Sequence, residues 1–183
     1  MKRLVLASSM VMLMACASVE GPASAQQAPP PPAAQQAPCA GAEFHQMDFW
    51  LGSWDARWDT APGQPAGQGT NVVTRDFDGC VIHEHFNGGS STGNLLGESW
   101  SLYHAPAQHW RQTWVDNVGG QHDYRGGLKD GHMVYVGDTP APGGQLGRVP
   151  TRLTFFHLGA DSVRQFSELS TDSGRTWTTA YDL

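Results

Sequence analysis

The chain predicts an all-β fold: a closed antiparallel barrel of about ten strands preceded by one short helix. Three observations point there. Strand-like runs recur at intervals of roughly ten to fifteen residues, each bounded by Gly, Asn, Asp or Pro. The connections carry Asp78-Gly79, Gly88-Gly89, Gly119-Gly120, Asp130-Gly131 and Gly143-Gly144, pairs that supply the positive φ angles of tight hairpins. Composition agrees: 22 Gly and seven Trp among 183 residues, with 15% charged, suit a sheet with tight turns better than a helical bundle. A meander of hairpins leaves two edges, and closing it is the simplest way to remove them.

Residues 1–25 read as a signal peptide. Lys2 and Arg3 supply the positive start, and the apolar run over 4–14, about eleven residues, is too short to span roughly 30 Å of hydrocarbon as a helix. Ala23-Ser24-Ala25 suits cleavage before Gln26. Leu13-Met14-Ala15-Cys16 instead resembles a lipobox, which would end the signal at residue 15 and put a lipid on Cys16. Residues 26–41, rich in Ala, Gln and Pro, have no apolar period and read as a disordered leader. The expected location is the periplasm, or, as the alternative, a lipid anchor in the cell envelope. Removing Lys2, Arg3 and Glu20 takes the formal charge from -6 to -7, and no basic run remains, which argues against a nucleic-acid partner. With Cys16 cleaved off or lipidated, Cys39 and Cys80 are expected to form a disulfide in an oxidising compartment; two free buried thiols are the alternative.

The barrel domain is expected over 42–183. Phe44, Met47, Phe49, Trp50 and Leu51 fit one or two helical turns stopped by Gly52. Phe49 and Trp50 should cover the barrel's end, and Trp54 should enter the first strand. Strands are expected near 53–59, 70–76, 80–86, 97–104, 109–117, 121–128, 132–137, 151–157, 162–169 and 175–181. Ser170-Thr171-Asp172-Ser173-Gly174-Arg175-Thr176-Trp177 matches the Asp-box pattern S-x-D-x-G-x-T-W, in which the Asp bonds the turn backbone and the Trp packs on the hairpin. A single copy marks a hairpin and excludes a propeller, whose blades would repeat it.

Phe49-Trp50-Leu51-Gly52-Ser53-Trp54 resembles the start of a DUF1579 domain, an uncharacterised bacterial family placed with the calycins (lipocalins, fatty-acid-binding proteins, nitrobindins). The similarity continues through Gly79 to Glu84, Trp110 to Asp116, Val163-Arg164-Gln165, and Glu168 to Trp177, so it covers nearly all of the chain from Cys39 on. The resemblance implies a calycin-like barrel of about ten strands and carries over no catalytic residues. Such domains usually run several residues past the last strand with a basic ending, whereas this chain stops at Tyr181-Asp182-Leu183. A short last strand and weak closure against the first are therefore expected.

Alternate residues of a strand share a face. Trp110, Gln112, Trp114 and Asp116 form one row with aromatic walls, an amide and a carboxylate, a pocket's mixture. Val163, Gln165, Ser167 and Leu169 form a similar row, as do Tyr103, Ser101 and Ser99. The expected ligand-binding residues are Trp110, Gln112, Trp114, Asp116, Gln165 and Tyr103; the alternative is that these Trp residues are simply core.

His83-Glu84-His85 puts two imidazoles on one face, a spacing seen in zinc and non-haem iron sites. A third ligand would come from His104, His109, His122, Glu98 or Asp123, and the Glu that continues a cupin motif is missing. His157 is the candidate for a haem ligand of nitrobindin type. Catalysis has little support, since the chain has neither a Gly-x-Ser-x-Gly elbow nor a phosphate loop. Glu84 and Glu168 lie between apolar neighbours and are expected to pair with an Arg such as Arg111 or Arg164; the alternative is a buried carboxyl with a raised pKa. The expected role is binding a small apolar or amphipathic molecule without a resident cofactor, with a membrane engaged only through a lipid anchor. The alternatives are a metal-dependent or acid–base enzyme on the His83-Glu84-His85 strand and a ligand-free interaction module.

Overall fold

The computed structural model describes residues 37–60, 62–144 and 146–183. The expected signal peptide, the alternative lipidation site at Cys16 and most of the expected leader lie outside the described residues.

Ten antiparallel strands form one sheet in chain order: β1 Gly52–Trp58, β2 Gly67–Asp76, β3 Val81–Asn87, β4 Leu96–His104, β5 His109–Asp116, β6 Gln121–Lys129, β7 His132–Pro140, β8 Arg148–Gly159, β9 Ser162–Leu169 and β10 Thr178–Asp182. The sheet curls into a nearly closed barrel. Among the described residues no ladder joins β10 to β1, and β10 is five residues long.

A meander puts alternate connections at opposite ends, and the two ends differ. At one end the connections are short: 77–80, 105–108, 130–131 and 160–161. At the other they are mostly longer: 59–66, 88–95, 117–120, 141–147 and 170–177.

The short-loop end is plugged from the N-terminal side. The expected helix is a pair of 3₁₀ turns, Ala42–His45 and Asp48–Trp50, separated by Gln46 and Met47. Three residues per turn set Met47 and Trp50 on one side, and both are buried in the core with Val73, Ile82, Trp110, Met133, Tyr135, Leu153 and Phe155. The Tyr135 hydroxyl donates to Met47 Sδ at 3.1 Å, and Trp50 meets Phe155 edge-on at 4.7 Å. Trp110 Nε1 donates to Gln46 Oε1, and Trp54 Nε1 donates to the Trp50 carbonyl. Arg75 forms an ion pair with Asp48. A Cys39–Cys80 disulfide ties the start of the plug to the residue before β3. The pairing expected from the sequence is therefore present.

Two expectations need correction. The last strand begins at Thr178, three residues later than predicted, because Arg175 and Thr176 are held in the Asp-box turn. Asp172 Oδ1 accepts from the Arg175 and Thr176 amides at 2.9 and 2.8 Å, and the Thr176 hydroxyl donates to Oδ2 at 2.6 Å. Their amides are thus unavailable to a ladder. The ion pairs differ in part: Glu168 does pair with an Arg, though with Arg152 across β8 and β9, while Arg164 pairs with Asp182, and among the described residues Glu84 has no Arg partner. Glu168 and Arg152 stand opposite each other on the outer face, whereas Glu84 points inward.

Candidate ligand cavity and an outer histidine cluster

Inward-facing rows follow from the register. Glu84, Ser99, Trp114 and His122 are successive partners across β3 to β6, so all four share the interior face. Ser167 pairs with Leu153 on one side and Tyr181 on the other. Toward the long-loop end these rows enclose a cavity of about 430 Å³, within the size range of small-molecule sites.

Its mouth is aromatic. Phe86 lies between Trp58 and Trp114, with ring centroids 6.3 and 6.2 Å away, and Leu95, Pro140 and Leu169 extend the apolar wall. Glycines opposite the two indoles make this possible. A Cβ on Gly97 would run into the Trp114 ring and one on Gly67 into the Trp58 ring, so each indole lies over bare backbone. Asp116 fixes Trp114 by accepting from its Nε1 at 3.1 Å, and its other oxygen accepts from the Val118 and Gly120 amides. Burial pushes the Asp116 carboxyl up, but these hydrogen bonds outweigh it and leave the pKa below the usual value. Asp116 therefore lines the cavity with its oxygens already engaged.

The floor is polar. Glu84 is 2% exposed; its carboxylate accepts from Asn71 Nδ2 at 2.7 Å and from the Ser99 hydroxyl at 2.6 Å. Burial raises its pKa against the lowering effect of those two bonds. Gln112 Nε2 donates to Ser101 at 3.1 Å, and Gln165, Ser167 and Tyr181 complete the floor toward β10. Tyr181 has 42% of its surface accessible, yet burial of its phenol raises that pKa well above normal. The two agree if the accessible part of the ring is cavity wall, as its place in the lining indicates. At the mouth, burial lowers the His122 pKa, and its Nδ1 is buried without a partner among the described residues.

Of the residues expected to bind ligand, Gln112, Trp114, Asp116 and Gln165 line the cavity. Trp110 and Tyr103 do not. Both lie at the plugged end, where Trp110 is buried at 2% and Tyr103 packs edge-on against Phe44 at 5.3 Å. Their rows point inward as expected, but the plug fills that part of the interior. Trp58, Phe86, Tyr124 and Tyr181 were missed; extending the inward rows from Trp54 and Ile82 would have found the first two.

A second cavity of about 190 Å³ follows the seam, with Trp54 and Ala56 of β1 on one side and Val163, Gln165 and Leu183 on the other. Gln165 and Leu183 line both cavities.

Strand alternation divides the His83-Glu84-His85 triplet. Glu84 faces the cavity while both imidazoles face outward, so one site cannot use all three. Of the candidate third ligands only Glu98, paired with His85 across β3 and β4, comes close. His83 Nε2 lies 3.0 Å from Glu98 Oε2, His85 Nδ1 3.3 Å from Oε1, and His83 Nδ1 3.1 Å from Asp76 Oδ2. His157, the candidate haem ligand, is exposed and stacks on Phe49 at 5.0 Å, outside the cavity.

No protein-family model matches the chain, and no curated protein is significantly similar to it.

Proposed function

We propose that the barrel binds a small, partly apolar molecule in the long-loop cavity, and that it does so as an exported, calycin-like protein of the cell envelope related to the DUF1579 group. One observation carries the reading: an aromatic mouth built on Trp58, Phe86 and Trp114 leads to a floor of hydrogen-bonding groups at Glu84, Gln112, Gln165 and Tyr181. Apolar walls supply affinity through burial, and a few fixed polar groups orient the ligand. A cavity meant only for packing would not hold so many polar side chains. The Cys39–Cys80 disulfide supports an oxidising compartment.

The test is native mass spectrometry of gently purified protein, followed by Trp fluorescence titration with fatty acids and aromatic compounds. A co-purified molecule, or a saturable fluorescence change that Trp114→Ala weakens by about tenfold or more, supports the reading. Bare protein in several preparations together with flat titrations would replace it with a ligand-free interaction module.

A further inference from the structure

We propose that the outer face of β3 and β4 holds a single divalent transition-metal ion on His83, His85 and Glu98. This site lies on the opposite side of the sheet from the cavity and does not rest on the ligand-binding reading.

The geometry supplies the argument. His83 and His85 are two residues apart on one strand, so both project outward, and Glu98 stands directly opposite His85 on the neighbouring strand. One ligand atom from each of the three lies within 4.8 Å of the other two. Asp76 sets the orientation of the first imidazole. With a metal on Nε2, His83 carries its hydrogen on Nδ1, where Asp76 Oδ2 at 3.1 Å accepts it, and Nε2, 3.0 Å from Glu98 Oε2, is the atom turned toward Glu98. Trp100 stacks on His83 at 4.9 Å and holds the ring in that plane.

What converges is then an imidazole lone pair, a second imidazole nitrogen and both oxygens of Glu98. Among the described residues neither Asp76 nor Glu98 has a Lys or Arg partner; their only ion-pair contacts are with these histidines. Acceptors gathered without a fixed cation are a ligand set for one. Two imidazoles and one carboxylate suit Zn²⁺ or Ni²⁺ and disfavour Mg²⁺ and Ca²⁺, which take oxygen shells. Three protein donors leave a position open to solvent.

The experiment is isothermal titration of chelator-stripped, untagged full chain with ZnCl₂ at pH 7.5. One Zn²⁺ per chain is expected, with no binding of Mg²⁺ or Ca²⁺ under the same conditions. His85→Ala and Glu98→Gln alter half-exposed side chains, keep the fold by circular dichroism, and should each weaken binding by about tenfold or more. Asp76→Asn, which touches no metal, should weaken it by about tenfold through the orientation of His83. No detectable Zn²⁺ binding, or binding unchanged in His85→Ala and Glu98→Gln, overturns the proposal.

Discussion

Glu84 shows how one residue can depend on its partners for its place. A carboxyl group 2% exposed is tolerated because Asn71 and Ser99 both donate to it. Glu84→Gln keeps one acceptor and one donor at the same sites, so it should change stability by no more than about 1 kcal/mol. Glu84→Leu takes away the acceptor of the Asn71 amide and of the Ser99 hydroxyl hydrogen, and should cost about 1–3 kcal/mol per buried donor left without one. Urea unfolding of the two variants at pH 7 checks the contrast, and equal losses would show that the hydrogen bonds do not matter. Gly97 works on the same scale. Gly97→Ala should push the Trp114 indole toward the cavity, shifting its emission and shrinking the space for ligand. An unchanged emission spectrum would mean that Trp114 does not rest on Gly97.

Among the elements, the Asp-box turn is held by one carboxylate. The Thr176 hydroxyl and amide, with help from Ser170, hold the Asp172 carboxyl down to about 2. An unfolded Asp titrates near 4, so between those values the folded state binds fewer protons than the unfolded one. The turn's contribution is therefore complete above about pH 4 and disappears as pH falls to about 2. Asp172→Asn should melt below wild type at pH 7, and the gap should narrow as the pH is lowered from 5 to 2. A gap independent of pH would assign the loss to something other than the carboxylate. The plug makes a second element-scale prediction. Trp50 is 3% exposed, so Trp50→Ala should cost about 3–5 kcal/mol, whereas Trp54, only half-buried, should cost less. Denaturant midpoints with an unchanged slope would give the ranking.

For the whole molecule the decisive feature is the seam. Among the described residues nine ladders hold the ten strands, and β1 and β10 each have one neighbour in the sheet. Amides of β10 and the free edge of β1 should therefore exchange hydrogen faster than those of β4 to β8, measured by native-state exchange. Equal protection at the seam would mean that the barrel closes in solution. The seam and the cavity also share Gln165 and Leu183, so motion at one alters the wall of the other.

The sequence alone determined the alternation of faces, the turn pairs and the order of the strands, and favoured the Cys39–Cys80 pairing, because period, turn chemistry and cysteine arithmetic are local or nearly so. Residue types also made the row from Trp110 to Asp116 an interior one. Only the tertiary structure decided which part of that row meets ligand space. Trp110 and Trp114 share a face and a strand, but four residues put them about 13 Å apart along it. The plug residues Met47 and Trp50 fill the interior around Trp110 and leave the space beside Trp114 open. The same is true of Glu84, Tyr181 and the meeting of His85 with Glu98. Those depend on shear between strands and on where a distant segment folds back, and neither is written in the spacing of nearby residues.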